Sequence, residues 1–271
     1  NYRSGGGVCV YASAAIFTMY GGSITDNKSN NTNGSNVSGA GGGVYTIGTF
    51  TMYGGNITGN TASDGGGVFV NGAEFQKGLF HMYGGTISRN EATSGGGVNV
   101  TPNSRFEMSG NASITGNTAV VNGGGVSVSG SLTMNGNASV KENKDKNNAD
   151  NNVYLKNDKT ITIGGALTGE IGVTTESKPA GSKSIDIATG EGLSDEIAKK
   201  FFSDDNKYEV KHEDDKLVLA KSGGTTTPTT PTAHKHFLCG GSNKCSAATG
   251  VTHPNCKATT FREWNETNKL P

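Results

Sequence analysis

A unit of 26 to 33 residues occurs five times in the first 150 residues of this chain, and no other feature constrains the fold as much. Its clearest copy runs from Phe80 to Val100 and reads FHMYGGTISRN, a polar turn, and then GGGVNV. The methionines that mark the copies are 33, 30, 26 and 26 residues apart. They are Met19, Met52, Met82, Met108 and Met134. A period of this length indicates a solenoid, in which each copy forms one coil that stacks on the next.

Apolar residues within each copy alternate with polar ones. Phe80 and Met82 are separated by one residue, and so are Val98 and Val100. Such alternation is typical of a half-buried β-strand, whose successive side chains point to opposite faces. No copy shows helical spacing, and a single coil cannot bury its own apolar face. We therefore predict an all-β fold, a parallel β-solenoid over residues 1–150.

An Asn and a Gly triplet recur at fixed places in the copies. We expect the Asn to form an internal ladder at a corner, with each side-chain amide bonded to the next coil. The Gly triplet fits a tight corner that needs a positive φ or a close approach of two backbones. The ladder positions are Asn27, Asn60, Asn90, Asn117 and Asn143. The triplets begin at Gly5, Gly41, Gly65, Gly95 and Gly123.

The alternation of Gly-Gly-Gly-Val with Ile-x-x-Asn resembles a known kind of repeat. It resembles the right-handed parallel β-helix repeats of large secreted proteins of gut Firmicutes, and it is similar to the repeats of chlamydial polymorphic outer-membrane proteins. The resemblance covers about residues 1–150. It implies a right-handed, single-stranded parallel β-helix that belongs to a secreted or cell-surface bacterial protein.

The composition restricts the possible partners. The chain has 271 residues, 43 Gly, 32% apolar residues and a formal net charge of zero. So low an apolar fraction is common in disordered chains, but a solenoid needs only a narrow core. Zero net charge without a basic stripe argues against a nucleic-acid partner. No apolar run approaches the roughly 18 residues of a membrane span. There is no signal peptide either, but Asn1 fits the ladder position of a preceding coil, so we expect a fragment of a longer protein.

Residues 151–271 lack the repeat and are predicted to form three segments. Residues 151–221 are interpreted as the last coils and a C-terminal cap, because an open solenoid end exposes apolar columns and strand edges. In this cap we expect a short helix from Ser194 through Phe202 and a hairpin around His212. Residues 222–233 are a Gly/Thr/Pro linker. Residues 234–271 form a small module rich in Cys and His.

The small module offers six potential metal ligands within 23 residues. They are His234, His236, Cys239, Cys245, His253 and Cys256. A segment this short cannot bury much core, so a metal or a disulfide is expected to stabilise it. One structural zinc in residues 234–256 needs four of these ligands. A disulfide among the three Cys and a disordered segment are the alternatives. The module also resembles a short His-x-His-x-x-Cys-Gly-Gly insert between β-helix blocks of the same gut-bacterial proteins.

Tyrosines recur next to the methionines. If Phe80 and Met82 point inward, their neighbours point outward, so Tyr20, Tyr53 and Tyr83 should stack on successive coils beside Thr18, Thr51 and His81. Such a surface can stack on sugar rings or contact a protein, or it can simply stabilise the sheet. A second outward column is predicted on the strand after the Gly triplet. It contains Cys9, Tyr45, Phe69, Asn99 and Ser127.

Catalysis is not indicated, because the carboxylates of the repeats do not fall in one column and no pair at a hydrolase distance is predicted. His81 has no nearby carboxylate in its own coil. We therefore predict a non-enzymatic structural or adhesive segment, a monomeric rod that is extracellular and cell-surface bound or secreted. Its expected partners are glycans or surface proteins of the host or of bacteria. The alternative is a fragment of a carbohydrate-active enzyme, a lyase or hydrolase whose catalytic segment lies elsewhere or in the Lys28–Ala40 loop.

Overall fold

The structure, a computed structural model, describes residues 5–29, 39–73 and 76–222, together with two strands at 236–239 and 258–262. The chain divides into two units, residues 1–222 and residues 223–271. The first unit is a parallel β-solenoid of six coils, which confirms the predicted all-β fold.

Each coil contributes up to three short strands, which we name after the repeat residue they carry. The Val strands are Val8–Val10, Val44–Thr46, Val68–Val70, Val98–Val100, Val126–Val128 and Val153–Leu155. The Phe strands are Ile16–Met19, Thr49–Met52, Leu79–Met82, Arg105–Met108, Ser131–Gly136 and Ile161–Leu167. The Ile strands are Ser23–Thr25, Asn56–Thr58, Thr86–Ser88, Ser113–Thr115 and Ser139–Lys141. Like strands of successive coils pair in parallel, so the sheets run along the stack.

The register places equivalent repeat residues directly on one another. Met82 lies opposite Met52 on one side and Met108 on the other, and all three are buried. The phenylalanines of the Phe strands stack inside the core, with ring centroids 4.6 to 5.2 Å apart. This spacing is that of neighbouring strands, so one residue type per column fills the interior without gaps. The Val, Phe, Met and Ile columns form a single core cluster.

The recurring Asn residues form the predicted ladder. The backbone N–H and the Nδ2 of Asn60 both donate to Oδ1 of Asn90, each at 2.9 Å. Nδ2 of Asn90 also donates to the backbone carbonyl of Ile57, at 2.9 Å. The same pattern repeats from Asn27 to Asn143. The ladder therefore satisfies backbone groups at a buried corner that no sheet covers.

The Gly triplets turn this corner. The first Gly of a triplet has a positive φ, for example +63° at Gly65 and +65° at Gly95. The coils also approach too closely for a side chain, since a Cβ on Gly66 would lie 2.5 Å from the carbonyl oxygen of Gly96. Three further short strands pair beside this corner: Glu91–Ser94, Thr118–Asn122 and Lys144–Asp145. A small hairpin joins Gly72–Ala73 to Gln76–Lys77.

The cap closes the C-terminal end of the solenoid in two ways. Strand Ile171–Thr175 has no Gly triplet before it and pairs with both the last Val strand and the last Ile strand, which joins the two sheets. Strand Ile185–Gly190 pairs in parallel with the last Phe strand, and Lys216–Lys221 and Tyr208–Glu213 then extend this sheet with antiparallel pairing and form the predicted hairpin. The predicted cap helix begins as expected, with Ser194 as its N-cap, but it covers only Asp195–Ala198. Its predicted extension through Phe202 is wrong, because Phe201–Ser203 is a strand that pairs with Ile171–Val173.

The ladder ends on a carboxylate of the cap. Asn143 donates to Oδ1 of Asn152 through its backbone N–H at 2.8 Å and its Nδ2 at 3.1 Å. Asn152 donates in the same way to Oδ2 and Oδ1 of Asp204, at 2.7 and 2.6 Å. The hydroxyl of Thr174 is a third donor to Asp204, at 2.8 Å. Burial raises the pKa of Asp204, although these hydrogen bonds act to lower it.

In the second unit the described residues are two antiparallel strands, His236–Cys239 and Ala258–Arg262. His236 lies opposite Arg262, and Phe237 lies opposite Phe261.

Candidate functional site

The outward side chains of the Phe strands form the surface on which the sequence placed a binding site. We call it the outer Phe face. Thr18, Thr51 and His81 lie in one column of this face, because Thr51 pairs with Thr18 on one side and with His81 on the other. Tyr20, Tyr53 and Tyr83 follow the strands and form the next column. All six predicted ligand-binding residues are thus brought together over three successive coils.

The three tyrosines form an exposed ladder. Their ring centroids are 5.2 and 5.1 Å apart, and neighbouring rings are inclined by only 7° and 17°. The exposed fraction falls from 78% at Tyr20 to 51% at Tyr53 and 43% at Tyr83. Since each ring lies flat against the next, the faces of Tyr53 are covered, and mainly the ring edges and the hydroxyl groups face solvent. The ladder therefore stabilises the sheet, and only its two ends offer a ring face to a ligand.

An ion cluster lies next to the last tyrosine. Nδ1 of His81 is 2.8 Å from Oε2 of Glu107, and Nε of Arg105 is 2.6 Å from Oε1 of the same carboxylate. The His81 contact is short but too poorly aligned to be a hydrogen bond, so Nδ1 is buried beside a carboxylate without a hydrogen-bond partner in the described structure. The imidazole also lies parallel to the Tyr83 ring, with centroids 6.0 Å apart.

The sequence reasoning missed this cluster because it looked for a carboxylate within the coil of His81. The carboxylate comes from the next coil, where Glu107 pairs directly with His81 in the sheet. The signal was present in the spacing, since Glu107 follows His81 by the same 26 residues that separate Met82 from Met108. In a solenoid, the neighbours of a side chain are found one period away rather than nearby in sequence.

The second predicted outward column does not form an exposed surface. Tyr45 and Phe69 are only 3% and 6% exposed, and they form a separate buried cluster with Ala40 and Ile47. The rings of Tyr45 and Phe69 stack at 5.6 Å, and Asn71 donates a hydrogen bond of 2.8 Å to the Tyr45 hydroxyl. Burial raises the pKa of Tyr45 accordingly. These aromatic residues are a second small core, so they are not available for ligands.

Asn99 and Ser127, farther along that column, are buried as well, whereas Cys9 at its start is an exposed free thiol. Asn99 is 3.3 Å from a carboxylate oxygen of Asp64, and burial raises the pKa of that carboxyl. Asp64 precedes a Gly triplet and Asp204 lies in the cap, so the two carboxylates with raised pKa values belong to different parts of the first unit.

The cap holds a cleft of about 600 Å³, lined by Lys156, Asn157, Lys159, Thr175, Ser177 and Ser184 among others. None of the predicted binding residues lines it. Two of its polar groups are already bonded to each other, since the Ser177 hydroxyl donates to Oδ1 of Asn157 at 2.7 Å.

The predicted zinc ligands lie mostly outside the described residues. His236 and Cys239 are on the described strand His236–Cys239, but the structure describes only its backbone. His234, Cys245, His253 and Cys256 lie in segments that the structure does not describe. Where side chains are described, in residues 5–29, 39–72 and 77–222, no three His, Cys, Asp or Glu residues come close enough together to hold a metal ion. The proposed zinc site therefore stays a prediction.

No helix within the described residues is long and apolar enough to span a membrane. No protein-family model matches the chain, and no curated protein or solved structure matches it. The geometry shows that the first unit is a parallel β-solenoid with an internal asparagine ladder.

Proposed function

We propose that this chain is a non-enzymatic structural and adhesive segment of a secreted or cell-wall-associated bacterial surface protein. Its outer Phe face binds glycans or surface proteins of the host or of other bacteria. The single observation that supports this most is the exposed tyrosine ladder, flanked by Thr18, Thr51 and His81 on a regular sheet. Tyr side chains combine an apolar ring with a hydroxyl group, which suits a surface that is both wet and adhesive. The extracellular location rests on the resemblance of the repeat to bacterial surface proteins.

The solenoid is a suitable support for such a surface. Every residue of the outer Phe face follows or precedes an inward Phe or Met that is locked in the core, so the face is held rigidly. A rigid support lowers the entropy that binding must overcome. The long stack of coils is also a good spacer, because each coil adds a fixed rise of about 4.8 Å.

The proposal is tested by binding of the full chain to a glycan array and to immobilised cell-surface proteins. A triple variant, Tyr20→Ala with Tyr53→Ala and Tyr83→Ala, should lose most of the signal. The matched control is Val121→Ala, since Val121 is exposed but lies on strand Thr118–Asn122, away from this face. Equal binding by the parent and the triple variant would show that the outer Phe face is not the adhesive surface.

A carbohydrate-active enzyme is the second candidate, and the cluster of His81, Glu107 and Arg105 is the observation that favours it. A carboxylate beside an imidazole is a common setting for a general base, and here Oε2 of Glu107 lies 2.8 Å from Nδ1 of His81 without a hydrogen bond between them. Release of unsaturated or reducing sugars from polysaccharides, abolished by Glu107→Gln, would replace the adhesive proposal by this one. Binding without product release supports the adhesive role.

For the second unit we propose that four of His234, His236, Cys239, Cys245, His253 and Cys256 bind one structural zinc. The support is the number of borderline and soft ligands in a segment too short to bury a large core.

A further inference from the structure

The tyrosine column changes abruptly within the outer Phe face. Met82, Met108, Met134 and Ile163 pair in succession, so the residues that follow them are equivalent positions on successive coils. At these positions the side chain shrinks. The column reads Tyr20, Tyr53, Tyr83, Ser109, Asn135 and Gly164. Three rings are therefore followed by three small residues, and Tyr83 lies at the edge of a step in the surface.

A ring-shaped ligand cannot enter the ladder itself. Its rings are 5.1 to 5.2 Å apart, whereas a third ring between two others needs about 3.5 to 4 Å on each side. Beyond Tyr83 the situation differs, because the next residue is Ser109, whose side chain ends at Oγ and does not reach across a tyrosine ring. The contacts between aromatic rings that Tyr83 makes within the described residues are with Tyr53 and His81. Tyr83 is the least exposed of the three tyrosines, with His81 beside it, but no aromatic ring of the next coil stacks on it, so we take its face on the side of Ser109 as open to a ligand.

Polar groups suited to hydroxyls surround this end of the ladder. Glu107 lies between His81 and Arg105 and presents two acceptor oxygens. Nε of Arg105 is bound to Glu107, while the side chain as a whole is 58% exposed, so its terminal amino groups can donate to a ligand. Ser109 and Asn135 form the floor of the step. At the opposite end, the outward neighbours of Tyr20 in its own coil are Thr18 and Ile16.

We propose that the step between Tyr83 and Ser109 is a sugar-binding site that takes one pyranose ring. The ring stacks its C–H face on Tyr83, and its hydroxyl groups bond to Glu107, Arg105 and Asn135. A sugar whose ring substituents are all equatorial fits well, because its axial C–H groups form an apolar surface on both faces of the ring. β-1,4-Linked glucose and N-acetylglucosamine are the common sugars of this shape. This inference rests on the proposed function, in that it uses the outer Phe face, but it assigns binding to one end of the ladder.

The test uses the full chain with cellotetraose and chitotetraose as probes, in saturation-transfer NMR followed by titration. At least one probe should bind the parent chain. Tyr83→Ala removes the stacking face and should weaken binding about tenfold. Ser109→Tyr should weaken it to a similar degree, because a fourth ring extends the ladder and fills the step. Val121→Ala should leave the affinity within about twofold of the parent, since Val121 is exposed but lies on strand Thr118–Asn122, away from this face.

The two decisive variants change the ladder in opposite directions, so they are not expected to destabilise the fold in the same way. If one of them fails to fold, the other still tests the site. Tyr83→Ala removes a ring from the ladder, whereas Ser109→Tyr adds a ring to a column that already accepts three. Thermal unfolding followed by circular dichroism shows whether each variant folds. Binding that survives Ser109→Tyr, or that is lost equally with Val121→Ala, overturns the assignment of the step.

The outcomes also separate this inference from the proposed function. If neither tetrasaccharide binds while array or cell-surface binding is lost in the triple tyrosine variant, the face binds another ligand and only this inference fails. If the chain binds a surface protein and Ser109→Tyr leaves that binding unchanged, again only this inference fails. If neither the probes nor any surface component binds through the outer Phe face, both proposals fail.

Discussion

Replacement of Asp204 by alanine should loosen the cap from the solenoid, because this carboxylate accepts the last donors of the asparagine ladder. Asp204→Ala leaves the backbone N–H and the Nδ2 of the buried Asn152 without an acceptor, and it removes the partner of the Thr174 hydroxyl. Each buried donor left unpaired costs about 1 to 3 kcal/mol, so the two donors of Asn152 cost about 2 to 6 kcal/mol.

Two effects reduce this loss. Burial raises the pKa of Asp204, which means that the ionised carboxylate is itself penalised in the folded state, and alanine removes that penalty. Asp204 also keeps partial contact with solvent, so water can reach part of the site that alanine vacates. We therefore expect a decrease of about 2 to 3 kcal/mol in the free energy of unfolding, the lower end of the range.

The assay is urea denaturation followed by circular dichroism, with Asp204→Asn as the matched control. The asparagine keeps one acceptor oxygen and the size of the side chain, so its loss should be about 1 kcal/mol. Hydrogen exchange should show the weakened protection in residues 151–175 and 201–204, while the coils around Asn60 stay protected. A change below about 0.5 kcal/mol for Asp204→Ala, or an equal loss of protection throughout the solenoid, would refute the reasoning.

The same carboxylate predicts a pH dependence of definite sign. Because burial holds the pKa of Asp204 above its ordinary value, the folded state binds a proton more tightly than the unfolded chain does. The contribution of this group to stability therefore increases as the pH falls through the raised pKa, and it levels off below the ordinary value of about 3.9. The difference in unfolding free energy between the parent and Asp204→Asn isolates this contribution, since the two chains share all other carboxylates. If the parent instead became less stable relative to Asp204→Asn as the pH is lowered, the assignment of a raised pKa to Asp204 would be wrong.

Three further predictions concern the columns and the second unit. Asn90→Ala should lower the unfolding free energy by about 3 kcal/mol, because two donors of Asn60 lose their acceptor at the buried corner, and thermal denaturation checks this against Ser88→Ala on the outside of the same coil. Val98→Asp should cost about 4 kcal/mol or more and abolish cooperative unfolding, because an unpaired charge enters a dry column; a variant that melts like its parent would show that the column is not internal. Residues 223–271 should bind about one zinc ion per chain, so metal analysis that finds none, together with two Cys that resist thiol reagents, would favour the disulfide instead.

The columns of the core were predictable because, in a repeat of fixed pattern, the inward residues of one coil determine the inward residues of all the others. Once Phe80, Met82, Ile87 and Val98 are taken as inward, every equivalent residue of the other coils follows, and the structure places them as expected. The ladder of Asn residues was predictable for the same reason. Its hydrogen bonds join neighbouring coils, so the repeat in sequence is directly a repeat of contacts.

Features that depend on irregular segments could not be predicted in this way. Asp204 reaches the ladder from 52 residues beyond Asn152, in a part of the chain without repeats. Tyr45 and Phe69 occupy outward positions and are nevertheless buried in a second cluster, which the period of the strands cannot reveal. The tyrosine ladder was predicted correctly, but its consequence for ligands depends on ring orientation, which alternation alone does not specify.

The direction of the ladder gives the solenoid a head and a tail. In the bonds between Asn residues, each Asn donates to Oδ1 of the Asn on its C-terminal side and accepts from the Asn on its N-terminal side, so every coil presents the same donors to one neighbour and the same acceptor to the other. Excision of residues 109–134, one full period, would bring Asn90 to donate to Asn143 and would leave no group at the corner without a partner. Coils are thus interchangeable parts, and the length of such a protein can change by whole units through duplication or loss in the gene without redesign of its interior.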